Sequence, residues 1–315
     1  MKIKSFLILI YVIIYSYSSF AQEVNLPVIN QYMADNTYVL SPAYAGIGDC
    51  WQARSSGIQQ WLGVENAPST QTLSVDGRIH DKSGIGGILY NDKNGHTSQK
   101  GAKLSFAHHL TLEQYSKQYL SFGISYKFSQ FSIETNQFNE PTLNGADNLQ
   151  VSDNNFDISL LYRLKGFFLN INVINLLNKN IQIYNPDEPE SIRSYYLYTG
   201  YLIKNDINHT EYEPSVMYRQ FASDERSTMD FNFKMRKYNK ENYYWVGVSL
   251  RTIVDQGYTP KSLSPMIGLK RNKFYFAYGY QAFFNEFSAV EENGSHMLTI
   301  GIDFKCQRSS CGCTL

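Results

Sequence analysis

The chain has 315 residues, 43% of them hydrophobic and 15% aromatic, with 25 Tyr and 19 Phe against 3 Trp and 4 Cys. Its 28 basic and 28 acidic side chains cancel, so nothing in the overall charge points to nucleic acid or to a polybasic membrane patch. Beyond the leader no apolar run reaches the 18 or so residues a membrane helix needs, and what remains is a Tyr-rich series of short alternating runs, the pattern of an all-β fold.

Residues 1–21 read as a secretory signal peptide. Lys2 and Lys4 give a positive start, Phe6 to Ile14 an apolar run too short to cross a bilayer, and Ser19-Phe20-Ala21 small residues for cleavage before Gln22. The first cysteine is Cys50, away from the cleavage point, which argues against a lipoprotein anchor. Residues 22–47 form an N-terminal motif segment, including Gln31 to Gly46, "QYMADNTYVLSPAYAG". It has neither the apolar spacing of a helix nor the alternation of a strand.

From residue 48 to 305 the period is two. In 120–128, Leu120, Phe122, Ile124, Tyr126 and Phe128 share one face and Ser121, Gly123, Ser125 and Lys127 the other. Phe156 to Leu164, Leu169 to Val173, Met229 to Arg236 and Leu298 to Phe304 repeat the scheme. Such runs predict strands near 49–60, 69–79, 84–92, 99–109, 118–131, 155–164 and 166–176. They continue near 194–203, 211–221, 227–237, 242–251, 262–271, 273–282 and 295–305. That makes about fourteen, an even number of the right length for tilted membrane-crossing strands. Long connections at 132–154, 177–193 and 283–294 alternate with short ones such as "HDKS", "LKG" and "KRNK", as outer loops alternate with periplasmic turns. The fold expected is a transmembrane antiparallel β-barrel of about 14 strands in the cell outer membrane, with an N-terminal periplasmic or plug segment. Tyr195, Tyr196, Tyr243, Tyr244, Trp245, Phe283, Phe284 and Phe287 sit near strand ends, where aromatic girdles lie.

No catalytic, cofactor or metal constellation stands out, and the chain does not read as an enzyme. His108 and His109 are strand neighbours and point to opposite faces. Gly84-Ile85-Gly86-Gly87 lacks the Lys-Ser/Thr of a phosphate loop; its glycines suit barrel curvature or close packing. Inward Asp76, Asp157, Asp230 and Asp303 have basic strand-mates in Arg78, Arg163 and Lys234, which predicts lumen ion pairs. Cys50 opens the first strand and Cys306 follows the last. Closure brings those ends together, so a Cys50–Cys306 bridge is sterically allowed in an oxidising compartment. The alternative is a tail, residues 306–315, whose Cys306, Cys311 and Cys313 stay idle or pair internally; their spacing matches no zinc pattern.

Gln31-Tyr32-Met33, Ser41-Pro42-Ala43-Tyr44-Ala45-Gly46, Gln60-Trp61-Leu62-Gly63 and Ala67-Pro68-Ser69-Thr70-Gln71-Thr72 occur in order, and Gly294-Ser295-His296 precedes the last strand. In these motifs the chain resembles the PorP/SprF family of type IX secretion outer-membrane proteins. It departs in having Ser41 where the family has Asn, and in the cysteine-bearing tail past Phe304. The resemblance implies a non-enzymatic barrel supporting export or surface attachment of large cell-surface proteins such as gliding adhesins. The partners it implies are periplasmic ring or peptidoglycan-linked secretion proteins, a secreted adhesin and membrane lipid, without nucleic acid. A barrel of this width has a lumen that side chains alone do not fill. Gln31, Tyr32, Met33, Pro42, Tyr44 and Gly46 are therefore expected in a plug or docking segment at or inside the periplasmic mouth. There Tyr32, Tyr38 and Tyr44 would pack on the inner wall, Pro42 would fix a turn, and Gly46 would release the chain into the first strand. A passive channel of the fatty-acid-transporter type is the rival reading and predicts a greasy lumen; a soluble secreted β-sandwich is the third.

Overall fold

The computed structural model describes residues 30–134, 149–177, 193–222, 226–284 and 294–306. The signal-peptide reading, residues 22–29, Phe287, Cys311 and Cys313 lie outside them. Three one-turn 3-10 stretches come first, Gln31–Met33, Thr37–Val39 and Pro42–Tyr44. The strand segments that follow are β1 (Trp51–Gln60), β2 (Ser69–His80), β3 (Ser83–Asn94), β4 (Thr97–Glu113), β5 (Gln118–Ile133), β6 (Leu149–Leu164), β7 (Phe167–Ile174) and β8 (Ser194–Tyr201). The rest are β9 (Ile203–Asn205), β10 (Thr210–Phe221), β11 (Ser227–Asn239), β12 (Asn242–Ile253), β13 (Thr259–Arg271), β14 (Phe274–Phe283) and β15 (Ser295–Phe304).

β8 and β9 are two pieces of one stave. Leu202 interrupts it, its N–H donating to Gly166 O at 2.8 Å, and both pieces pair with β10. Fourteen antiparallel staves result. β15 pairs with β1 from Trp51↔Phe304 to Gln60↔Ser295 and the sheet closes on itself. Closure gives every stave a hydrogen-bonded neighbour on each side, the condition for crossing lipid.

The alternation read from the sequence matches the wall. On β15, Leu298, Ile300 and Ile302 are exposed on the outer face, while Thr299 and Asp303 are buried inside. On β5 the exposed set is Phe122, Ile124, Tyr126 and Phe128, and the buried set Ser121, Ser125 and Lys127. Two expectations change. β4 and β6 are longer than the apolar alternation indicated, and β6 begins at Leu149 within a stretch read as loop. Its added outward positions, Gln150, Ser152 and Asn154, are polar and exposed. Ladder hydrogen bonds continue above the bilayer, where the apolar signal stops. Of the aromatics assigned to girdles, Tyr195, Tyr244 and Phe284 are exposed, but Tyr196 and Trp245 are buried in the lumen and Tyr243 faces it. Adjacent strand residues cannot both face lipid.

Ile300 lies mid-strand on the lipid face. Ile300→Arg is expected to cost about 2–4 kcal/mol, the midplane penalty for a cation, against a small effect for Lys305→Arg at the strand end. Urea unfolding in lipid vesicles checks the difference.

Candidate functional site: a plug threaded through the lumen

Residues 30–47 fill the barrel. Tyr32, Met33, Tyr38, Val39, Leu40, Ala43, Tyr44 and Ile47 are buried in one cluster with inward wall residues that include Leu161, Tyr196, Tyr198, Met217 and Trp245. Burial of each large side chain contributes on the order of 1.5–3 kcal/mol. The sequence carries a signal for this core: in Leu160-Leu161, Val216-Met217 and Trp245-Val246 both strand faces are apolar, so an inward apolar group needs a partner inside the lumen.

The segment reaches farther than the periplasmic mouth. Gly46 sits against the turn end of β2 and β3, while Asn30 lies beside Ile58, Gln281 and Ser295 at the opposite end of β1, β14 and β15. Its path is fixed by glycines that let backbone meet backbone. A Cβ at Gly84 would lie 2.1 Å from Ala45 O, and one at Gly123 would lie 2.2 Å from Ala43 N. At Gly86 the Tyr38 ring occupies the same space. Gly46 itself has φ +67° and packs on Gly77 and Gly84, so both conformation and contact require glycine there. Pro42 opens the third 3-10 turn, in the first-turn position where its missing N–H costs nothing.

Wall side chains then satisfy the plug's backbone. Ala43 N–H donates to Ser159 Oγ (2.8 Å) and Gly46 N–H to Asp76 Oδ2 (2.9 Å). Asn172 Nδ2 donates to Leu40 O (2.7 Å), Asn170 Nδ2 to Ser41 Oγ (2.9 Å), and Arg78 Nε to Gly46 O (3.1 Å). His109 Nε2 donates to Ala45 O (3.0 Å), with Nδ1 taking Ser121 Oγ at 2.8 Å, whereas His108 bonds Ser83 elsewhere. Tyr38 OH is bonded to Ser105 Oγ (2.8 Å), and Tyr32 OH donates to Asp230 Oδ2 (3.2 Å). Short wall side chains thus bond plug carbonyls and amides, as a buried irregular segment requires.

Asp35, the one charged residue between positions 30 and 47, ties the plug to the other side of the barrel. Its carboxylate lies 3.0 Å from Lys234 Nζ and 2.5 Å from Arg236 Nη2, and accepts from Tyr243 OH at 2.9 Å. Burial opposes ionisation here, but Arg236 and Lys234 outweigh it and hold the Asp35 pKa well below the usual carboxylate range. Burial pushes the Tyr32, Tyr38 and Tyr44 hydroxyls far up, so all three are neutral. Of the four carboxylates expected in lumen ion pairs, Asp157, Asp230 and Asp303 form them with a different set of partners, while Asp76 accepts from the plug's Gly46 N–H. The pairs cross strands: Asp303 to Arg54 (2.7 Å) and Lys270 (2.5 Å), Asp157 to Lys103 (2.5 Å), Asp230 to Arg251 (2.7 Å). Strand-mates two, four or six residues away point the same way but are offset along the strand; register decides who meets.

Beneath the plug a cavity of about 270 Å³ remains, lined among others by Tyr44, Gly48, Arg163, Lys204 and Glu211 near the short-turn end. Cys50 and Cys306 are joined by a disulfide across the β1–β15 seam, three residues past Ile47. Among the described residues no group of three or more His, Cys, Asp or Glu could hold a metal ion.

Gly123→Ala is expected to displace the plug backbone and cost about 1–3 kcal/mol by overpacking. Gly57→Ala, with nothing within 4 Å of the added methyl, serves as the neutral control in the same unfolding assay. Asp35→Asn is expected to cost about 1–3 kcal/mol, the scale of hydrogen bonds to a charge, because Arg236 keeps Glu211 and Glu213 as partners. A carboxylate with a lowered native pKa stabilises above its unfolded value near 3.9 and loses that contribution as pH falls through the native value. The Asp35 contribution to plug docking, read as the difference in protease protection between wild type and Asp35→Asn, is therefore expected to be constant from about pH 8 to 5.

No curated protein matches the sequence. Solved structures of similar shape include BamA from Haemophilus ducreyi lacking POTRA domains 1–3, at 10% identity and TM-score 0.41, covering 81% of this chain and 70% of that one. A bacterial polysaccharide outer-membrane secretin matches at 10% identity and TM-score 0.44, over 82% and 100% of the two chains. The KdgM porin matches at 9% and 0.36, over 80% and 99%. Residues 21–302 match the family described as type IX secretion system membrane protein PorP/SprF. With that match spanning most of the sequence and the closed barrel around it, this chain belongs to the PorP/SprF family of type IX secretion and is an outer-membrane protein.

Proposed function

We propose that the barrel is a non-enzymatic, plugged docking component of type IX secretion, which supports export or surface attachment of large proteins such as gliding adhesins without carrying them through its own lumen. One observation carries this reading. The interior is occupied by a segment whose backbone contacts the wall through glycines and whose polar groups are bonded on several staves. A polypeptide in transit would have to strip out those contacts together. Periplasmic ring or peptidoglycan-linked secretion proteins are the partners that family membership supports, and the mouth below the plug is the face open to them. The greasy lumen needed for a fatty-acid-type channel finds no support in a cavity lined by Asp35, Arg163, Lys204, Glu211, Lys234 and Arg236.

Stapling the plug tests the proposal. Asn36 Oδ1 accepts from Ser74 Oγ at 3.2 Å, so Asn36→Cys and Ser74→Cys can be joined by a short, reducible bis-methanethiosulfonate cross-linker. In the host, the cross-linked double variant is expected to support surface display of adhesin as well as wild type does. Export blocked by the staple and restored by reductant would mean that cargo uses this lumen.

A further inference from the structure

Net charge zero hides a segregated rim. The short turns lie at one end of the barrel, the periplasmic end of such folds. Within or directly flanking them are Lys82, Lys117, Lys165, Lys240, Lys273 and Lys305, all exposed, and none of their ammonium groups makes an ion pair among the described residues. Exposed Lys204 and Arg271 stand beside them; five exposed carboxylates, Asp49, Asp81, Glu113, Asp206 and Glu241, share the rim and leave it with a positive excess.

The backbone gives a second, independent sign. Left-handed positions at this rim are Lys117 (φ 52°), Lys165 (54°), His209 (50°), Lys240 (58°), Asn272 (54°) and Lys305 (47°). At the other rim the described left-handed positions are Gly63, Gly95, Gly257, Gly294, Asn66 and Asn175, with Trp61 and Tyr258 as exceptions. Glycine and asparagine enter this region at little cost, and lysine does not. Three turns and the end of the last strand thus keep a cation where the local backbone prefers glycine, a departure that points to a role for the charge.

We propose that this ring binds the phosphate headgroups of anionic phospholipids in the periplasmic leaflet and so fixes the depth of the barrel in the membrane. Two features favour lipid over an acidic protein. The cations occur at nearly every turn around the circumference, as lipid contact on all sides requires, whereas a protein partner needs an arc. They also lie one to four residues from exposed lipid-facing groups, as in Ile79 before Lys82, Tyr244 after Lys240, Phe274 after Lys273 and Ile302 before Lys305. A lysine so placed lays its stem along the apolar belt and its ammonium at headgroup level.

The test uses the full-length protein in nanodiscs of phosphatidylcholine alone or with phosphatidylglycerol, reading the unfolding temperature by heat-modified gel mobility and retained phosphatidylglycerol by native mass spectrometry. Wild type is expected to unfold several degrees higher with phosphatidylglycerol and to retain it, with the shift removed by high salt. Replacing Lys117, Lys165, Lys240 and Lys305 together by Gln is expected to lose at least half of the shift, and replacing them by Arg to keep it. A fourfold Lys→Gly variant relieves the backbone, so it folds while losing the lipid response, and it stands in if the Gln variant fails to fold. Equal unfolding temperatures in the two lipids for wild type, or a full shift in the Gln and Gly variants, would overturn the proposal. So would a rim that responds to added polyglutamate but not to phosphatidylglycerol.

Discussion

Lipid offers a backbone no hydrogen-bond partner, so each stave must be paired on both sides and the sheet must close. The other features of this chain follow from that constraint. Closure fixes the period of two, and the period fixes which residues face lipid and which face inward. The width of fourteen staves leaves an interior that polar wall residues cannot fill, and the segment preceding β1 fills it. Because that segment joins directly to β1, its root is held where the seam closes, beside the Cys50–Cys306 disulfide.

The plug is bound in two chemically different ways. Between β2 and β7 it lies backbone against backbone, admitted by Gly84 and Gly123 and held by serine, asparagine and histidine side chains. Toward β11 and β12 it is held by Asp35 on Lys234 and Arg236 and by Tyr32 on Asp230. The first mode depends on the absence of side chains and tolerates no added methyl. The second depends on charge and has spare partners, since Glu211 and Glu213 also engage Arg236. A segment fixed on both sides occupies the centre of the barrel between its two rims.

The two rims differ in the same spirit. Turn geometry asks for a left-handed residue at both ends, and the outer end answers mostly with glycine and asparagine while the periplasmic end answers mostly with lysine. Equal totals of acidic and basic residues over the whole chain concealed this, because composition carries no information about which turn lies at which end.

The sequence by itself determined the strands, their faces and the family motif, because alternation is a local property that each run displays without reference to any other. It also marked Tyr32, Tyr38 and Tyr44 as residues in search of a surface. Only the tertiary structure decided that Asn30 reaches the far end of the lumen, that Asp35 meets Lys234 and Arg236 some two hundred residues away, and that Asp303 pairs with Arg54 and Lys270 and Asp157 with Lys103. Those matters depend on register and on closure, which are set by all fourteen staves at once. For the same reason Tyr196 and Trp245 could not be told from girdle aromatics: near a strand end, one residue of phase decides between lipid and lumen.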